Sequence, residues 1–292
     1  MPNRRGFLQT AAGAMASILD PTIARGHRAD PMTKYESFRF SSGGVARSVY
    51  WRGSGPGVLL MHEAPGMTPE CFELADRIIG RGYTVFLPLL FGDPGKRYGA
   101  AYLPAICISR EFTCLATGRT SHITCWLRAL GRNIYDRCGG AGIGAIGMCL
   151  TGGFVLSLLI DDHVLAPIAS QPALPLSITD EHRKDLGLDS KDLEEARARV
   201  ARDGLDILGL RFSEDRKCPA RRFGALKDAF GDHFRCIVID SSRGNPYDIP
   251  ASAHAVLTGS FVDTPGHPTV VALEDTLAFL DQRLKRRAAA TI

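Results

Sequence analysis

The sequence predicts an α/β fold with a mostly parallel central sheet, helices on both faces and an antiparallel edge. Three observations lead there. Strand-like and helix-like stretches alternate from residue 32 onward. Several of the strand-like stretches are apolar throughout, as in strands buried on both faces. The first two instead alternate in polarity across Gly43-Gly44, which reads as a hairpin at the edge of the sheet. With 292 residues, 45% of them hydrophobic, the chain can build one large domain over residues 32–292.

The elements follow in order. Residues 37–41 and 46–51 are the half-buried edge strands, and Gly57-Val58-Leu59-Leu60-Met61 is the first core strand. Thr68-Pro69-Glu70 opens a helix with Thr as N-cap, Pro at the first position and an acid in the first turn. Its apolar face carries Phe72, Ala75, Ile78 and Ile79, and the glycines at 80 and 82 end it. Residues 83–87 form a strand, 121–138 a helix, 141–147 a strand, 150–160 a helix apolar nearly all round, and 164–169 a strand. Residues 180–204 are rich in charge and read as a loop plus a solvated helix over 191–202, capped by Ser190. Strands over 206–212 and 234–240 flank a helix over 219–230, and a helix over 268–287 closes the chain.

Composition excludes several function classes. Lys and Arg number 35 against 31 Asp and Glu, for a net charge of +4, and the bases are scattered among acids. A nucleic-acid partner would need them gathered in one stripe with stacking aromatics, so none is expected. The eight cysteines are Cys71, Cys107, Cys114, Cys125, Cys138, Cys149, Cys218 and Cys236. None forms a C-x-x-C pair, which excludes zinc-ribbon and thioredoxin-like sites. Most lie in apolar stretches, as small buried hydrophobes do, and no disulfide framework is expected.

Residues 1–31 stand apart. Arg4-Arg5-Gly6-Phe7-Leu8-Gln9 precedes a run of small residues from Thr10 to Ala16, a basic start and a short apolar segment too short to span a bilayer. This resembles a twin-arginine export signal and places the mature protein in the periplasm. The alternative is a start at Met32 and a cytoplasmic protein. No later segment is apolar enough for a membrane helix, and no membrane partner is expected.

The chemistry centres on Gly147-Met148-Cys149-Leu150-Thr151-Gly152-Gly153, where a strand runs directly into a helix. A nucleophile on such a turn needs small neighbours, because the strained backbone leaves no room for side chains. Gly147 lies two before Cys149; the second glycine expected two after is replaced by Thr151, with Gly152 next. The turn lifts the sulfur above the carboxyl edge of the sheet, the helix N-terminus favours a thiolate, and the Leu150 N–H faces a developing oxyanion. After the strand over 207–212 come Glu214 and Asp215, and after the next strand comes His254. Nucleophile, acid and base in that order, each in a loop after a strand, is the arrangement of α/β-hydrolases. Asp215 is the preferred acid and Glu214 its competitor. His233 precedes a strand and His267 opens the last helix, so both fit less well as the base. His62-Glu63-Ala64-Pro65-Gly66 follows the first core strand, whose loop supplies the other oxyanion donor in such folds, here Ala64. Glu63 above a low-dielectric core is costly unless it is used.

These stretches together resemble the dienelactone hydrolase family from about Tyr35 to the C-terminus. The resemblance implies a Cys–His–Asp triad of Cys149, His254 and Asp215, with no metal or organic cofactor. It further implies a thioester on Cys149 that water then hydrolyses, a Glu63 that contacts the resting thiol, and a small-molecule ester or lactone as substrate. One departure is plain. Enzymes acting on dienelactone follow the catalytic His with Ser-Phe-Ala-Arg, the Arg binding the substrate carboxylate; here His254 is followed by Ala255-Val256-Leu257-Thr258. No residue after the strand over 83–87, Lys96 and Arg97 included, maps onto the family's other carboxylate-binding Arg.

Two rivals remain. A class I glutamine amidotransferase also sets Cys on a Gly-x-Cys turn, but needs a His and a Glu close together late in the chain, where His267-Pro268-Thr269 lacks the acid. A catalytically silent α/β-hydrolase fold used for binding is the other, since fold does not fix function.

Overall fold

The computed structural model describes residues 31–64, 66–97, 112 and 117–285. The segment read as an export signal (residues 1–30), with Cys107 and Cys114, lies outside these residues. Eight strands form one sheet: β1 (Glu36–Ser42), β2 (Val45–Gly53), β3 (Gly57–Met61), β4 (Thr84–Pro88), β5 (Ile143–Met148), β6 (Val164–Ser170), β7 (Ile207–Phe212) and β8 (Phe234–Ile239). Their order is β1-β2-β4-β3-β5-β6-β7-β8. β1 with β2 and β2 with β4 are antiparallel, and every later pair is parallel. The helices are α1 (Pro69–Gly80), α2 (Ile123–Cys138), α3 (Phe154–Ser157), α4 (Asp180–Lys184), α5 (Ser190–Asp203), α6 (Ala220–Phe230) and α7 (Pro268–Leu280). None of them is long and apolar enough to cross a membrane.

The apolar strands are explained by their two covered faces. Along β3, Val58 and Leu60 pack with Phe72 of α1 and Leu277 of α7, while Leu59 and Met61 pack with Trp126 and Leu127 of α2. Side chains alternate with period two, and both faces meet a helix, so every residue of β3 is buried. β1, by contrast, covers one face only and its burial alternates.

Four details differ from the sequence expectations. The helix expected over 150–160 is broken into a 3₁₀ turn (Cys149–Thr151), the four-residue α3 and a second 3₁₀ turn (Leu158–Ile160). The Cys149 carbonyl accepts from Gly152 at 3.1 Å and from Ala173 at 2.8 Å, so no regular i→i+4 ladder starts there. The charged helix is capped by Asp189 rather than Ser190, its carboxylate accepting from Asp192 N–H at 2.9 Å. The closing helix ends at Leu280 and continues as a π-turn over Asp281–Lys285. Of the described cysteines, Cys71, Cys149 and Cys218 are buried as expected, but Cys125 and Cys236 are exposed.

Candidate active site

Strand ends bring the site together. Met61 of β3 is level with Gly147 of β5, Met148 with Ser170 of β6, Ser170 with Leu210 of β7, and Phe212 with Ile239 of β8. Five loops leaving this edge carry one group each: Glu63 after β3, Cys149 after β5, Gln171 after β6, Asp215 after β7 and His254 after β8. The strand order turns back between β3 and β5, the position at which α/β sheets characteristically bind ligands.

Cys149 has φ +53°, in the left-handed region that non-glycine residues rarely adopt. Such a conformation costs of order 1–3 kcal/mol and persists where the surroundings hold it. The Thr151 hydroxyl accepts from Met148 N–H at 2.9 Å and shares its one proton between Met61 O and Met148 O, each at 3.0 Å, stitching the turn to β3. Thr151 is therefore a brace at the position where a second glycine was expected. A Cβ on Gly147 would stand 2.3 Å from Thr151 O, and one on Gly152 2.7 Å from Pro172 Cα, so the chain needs glycine at both.

The structure brings His254 and Asp215 together. Asp215 Oδ2 meets His254 Nδ1 at 2.7 Å, and Oδ1 accepts from the N–H groups of Lys217 and Cys218 at 2.9 and 3.2 Å. Glu214, the competing acid, is exposed. His254 is held from behind by Ser260, whose hydroxyl accepts from its N–H at 3.2 Å. Burial works against an imidazolium here, but the bond to Asp215 and the contact with the Cys149 sulfur raise its pKa to about 10. Nε2 of His254 is buried without a well-aligned hydrogen bond to any described atom. The thiol is thus close but not aligned, as catalytic pairs commonly are before substrate binds. The other histidines are occupied elsewhere: His233 faces Asp206 at 3.3 Å, and His267 caps α7 and meets Thr269 at 2.7 Å.

Glu63 is 5% exposed, and burial raises its pKa against the bonds and charges around it. Its hydrogen bonds run to the Thr258 hydroxyl at Oε1 and to Gln171 Nε2 at Oε2, 3.3 Å away. No hydrogen bond joins Glu63 to the Cys149 thiol among the described residues; the bonds it makes run to these two partners. Thr258, where the resemblance would have an Arg, spends its hydroxyl on Glu63 and leaves no cation. Lys96 and Arg97 pair with Asp93 and Glu70 at the surface. The backbone N–H groups of Ala64 and Leu150 make no hydrogen bond to another described residue.

Sequence reasoning gave no role to three residues, of which it had named His62 alone. Gln171 closes the Glu63 network. His62 is fully buried, its Nδ1 facing Glu63 O at 3.2 Å and its Nε2 accepting from Leu90 N–H at 3.1 Å, and burial lowers its pKa to about 4. Asn245 folds the loop before His254, donating to Ser242 O and Ile249 O and accepting from the N–H groups of Tyr247 and Ile249. A polar residue directly after an apolar strand was the available signal for His62 and Gln171. Cys149 and Leu150 share a cluster with Phe91, Phe112 and Phe154, whose rings stand 5.8 and 6.2 Å apart in succession.

Comparison with known proteins agrees with this architecture. The model of the Dienelactone hydrolase family matches residues 44–184. Among solved structures, a dienelactone hydrolase from Anabaena variabilis superposes with a TM-score of 0.56 at 13% identity, covering 86% of this chain and 99% of that one. A dienelactone hydrolase-like promiscuous phosphotriesterase from metagenomic libraries gives 0.55 at 14% identity, covering 86% and 98%. A cold-adapted esterase from an Arctic intertidal metagenomic library gives 0.55 at 15%, covering 86% and 95%. At these identities the likeness is one of fold. No curated relative matches the chain.

Proposed function

We propose that the chain is a dienelactone hydrolase-like enzyme of the α/β-hydrolase superfamily and that it cleaves a carboxylic ester or lactone with Cys149 as nucleophile. The observation that carries the reading is His254, clamped by Asp215 at 2.7 Å and raised to about 10 by that carboxylate together with Cys149. His254 takes the Sγ proton, and the thiolate adds to the substrate carbonyl. The oxyanion so formed is met by the N–H groups of Leu150 and Ala64. As it collapses, the C–O bond breaks, a thioester remains on Cys149, and the imidazolium gives its proton to the leaving alkoxide. Water, deprotonated by His254, then adds to the thioester, and the carboxylate product leaves as the thiol is restored. Asp215 holds the ring and its charged form throughout.

Thr258, its hydroxyl turned to Glu63, stands where the family's carboxylate-binding Arg would be, which favours a neutral acyl group over an anionic dienelactone. The test is Cys149→Ala against wild type on a panel of activated esters. A loss of about 10³-fold or more in kcat/KM is expected; equal turnover refutes the nucleophile and favours a silent, binding fold. Export is a separate part of the proposal, resting on Arg4-Arg5 and the small-residue run behind them. Cell fractionation with N-terminal sequencing should find a shortened periplasmic protein. A full-length cytoplasmic product, or one starting at Met32, contradicts it.

A further inference from the structure

The chemistry above makes no use of Gln171, yet the site is built around it. It is the first residue after β6, fully buried, with φ +35°, a second non-glycine residue in the left-handed region beside Cys149. Its N–H donates to Leu210 O of β7 at 2.6 Å, and two residues on Ala173 N–H donates to Cys149 O at 2.8 Å. The backbone here is therefore tied to β7 on one side and to the nucleophile turn on the other. The side chain spans the remaining loops. Its oxygen accepts from Val256 N–H at 3.4 Å and from the Ser170 hydroxyl, and its nitrogen donates to Glu63 Oε2 at 3.3 Å. The amide cannot be turned over, because a backbone N–H only donates, so oxygen must face Val256 and NH₂ must face Glu63.

We propose that Gln171 is a positioning residue that fixes which oxygen of Glu63 carries a proton, and so sets the charge that Glu63 presents to the Cys149–His254 pair. The proposal rests on the catalytic reading above. With Oε2 held as an acceptor by the Gln171 NH₂, a proton on Glu63 is confined to Oε1, where the Thr258 hydroxyl accepts it. When that proton leaves, the same hydroxyl rotates and donates. Glu63 can then change charge without moving a heavy atom, inside a cluster where burial disfavours the carboxylate. The other titratable groups acting on Glu63 are His254, Lys217 after β7 and Cys71 of α1.

The test needs no substrate. Iodoacetamide alkylation of Cys149 is followed against pH by the mass of its peptide in wild type, Glu63→Gln, Gln171→Met and Gln171→Glu. Wild type should show an inflection that Glu63→Gln abolishes. Gln171→Met removes a donor that favours the carboxylate, so the inflection should move up by about one pH unit, with about a tenfold fall in kcat/KM for an ester. Gln171→Glu keeps the length and sets two carboxyls side by side, so it should also move the inflection upward. This second variant decides the matter if Gln171→Met does not fold. Folded variants with the wild-type profile overturn the proposal, as does a profile that Glu63→Gln leaves unchanged. A Cys149→Ala protein that still turns over esters would instead refute the catalytic reading, and the alkylation profile would stand apart from it.

Discussion

At the amino end of β6, Arg199 of α5 enters the core, and at the carboxyl end Gln171, Glu63 and His254 meet above it. Arg199 is 2% exposed and fully matched: its guanidinium donates to Leu159 O at 2.6 Å, Val164 O at 2.9 Å, Asp162 O at 3.1 Å and Asp203 Oδ2 at 3.2 Å. Here every nitrogen of a buried charge has been given a partner, which is how polar groups are kept inside proteins for structure. The other end differs in three ways. His254 Nε2 is buried without a well-aligned partner, Glu63 is buried without a direct ion pair, and Cys149 and Gln171 hold left-handed backbone. One strand thus runs from a brace to a site, and at the site a buried unpaired imidazole nitrogen, a buried carboxyl and left-handed backbone coincide.

That contrast can be broken by substitution. Asp215→Asn should cost about 10²-fold or more in kcat/KM and lower the His254 pKa from about 10, read by ring-proton NMR, because the carboxylate that raises it is gone. Glu214→Gln, one residue away and exposed, should stay within about twofold. Equal losses in the two would erase the distinction between them. Arg199→Met should do the opposite, leaving three carbonyls unmatched and lowering stability by about 3 kcal/mol in a denaturant titration while the remaining folded enzyme keeps its kcat/KM. A selective loss of turnover there would show that the brace belongs to the site.

His62 sharpens the comparison because it stands next to Glu63 yet is paired like Arg199. Its folded pKa, about 4, lies below the ordinary 6.5. Below pH 6.5 the unfolded chain takes up a proton that the folded one refuses. Stability should therefore fall between pH 6.5 and about 4, by up to about 1.4 kcal/mol per pH unit. Melting temperatures across that range should show a flatter profile for His62→Gln. An unchanged slope would remove His62 from the account.

What could be read from the chain follows local chemistry. The apolar runs of β3, β5 and β6, the glycines at 147 and 152, and the acid and base after β7 and β8 all follow from steric, burial and order rules that act within a few residues. What could not be read depends on distant partners. Glu214 and Asp215 are adjacent acids, and only the turn after β7 sends one inward and the other into water. Gln171 meets Glu63 across 108 positions of sequence, a pairing no local pattern carries. The break after Cys149 was hidden for the same reason, since Ala173 takes the carbonyl that a longer helix would have used.

The central claim is that Cys149 carries the acyl group between the two half-reactions. The direct measurement is rapid acid quenching during turnover of an activated ester, followed by peptide mass analysis. An adduct of the acyl mass on the peptide holding Cys149, absent in Cys149→Ala and longer-lived in a variant with a weakened base such as His254→Gln, is the expected result. Turnover with no adduct there, or with the acyl group on another residue, would contradict the account.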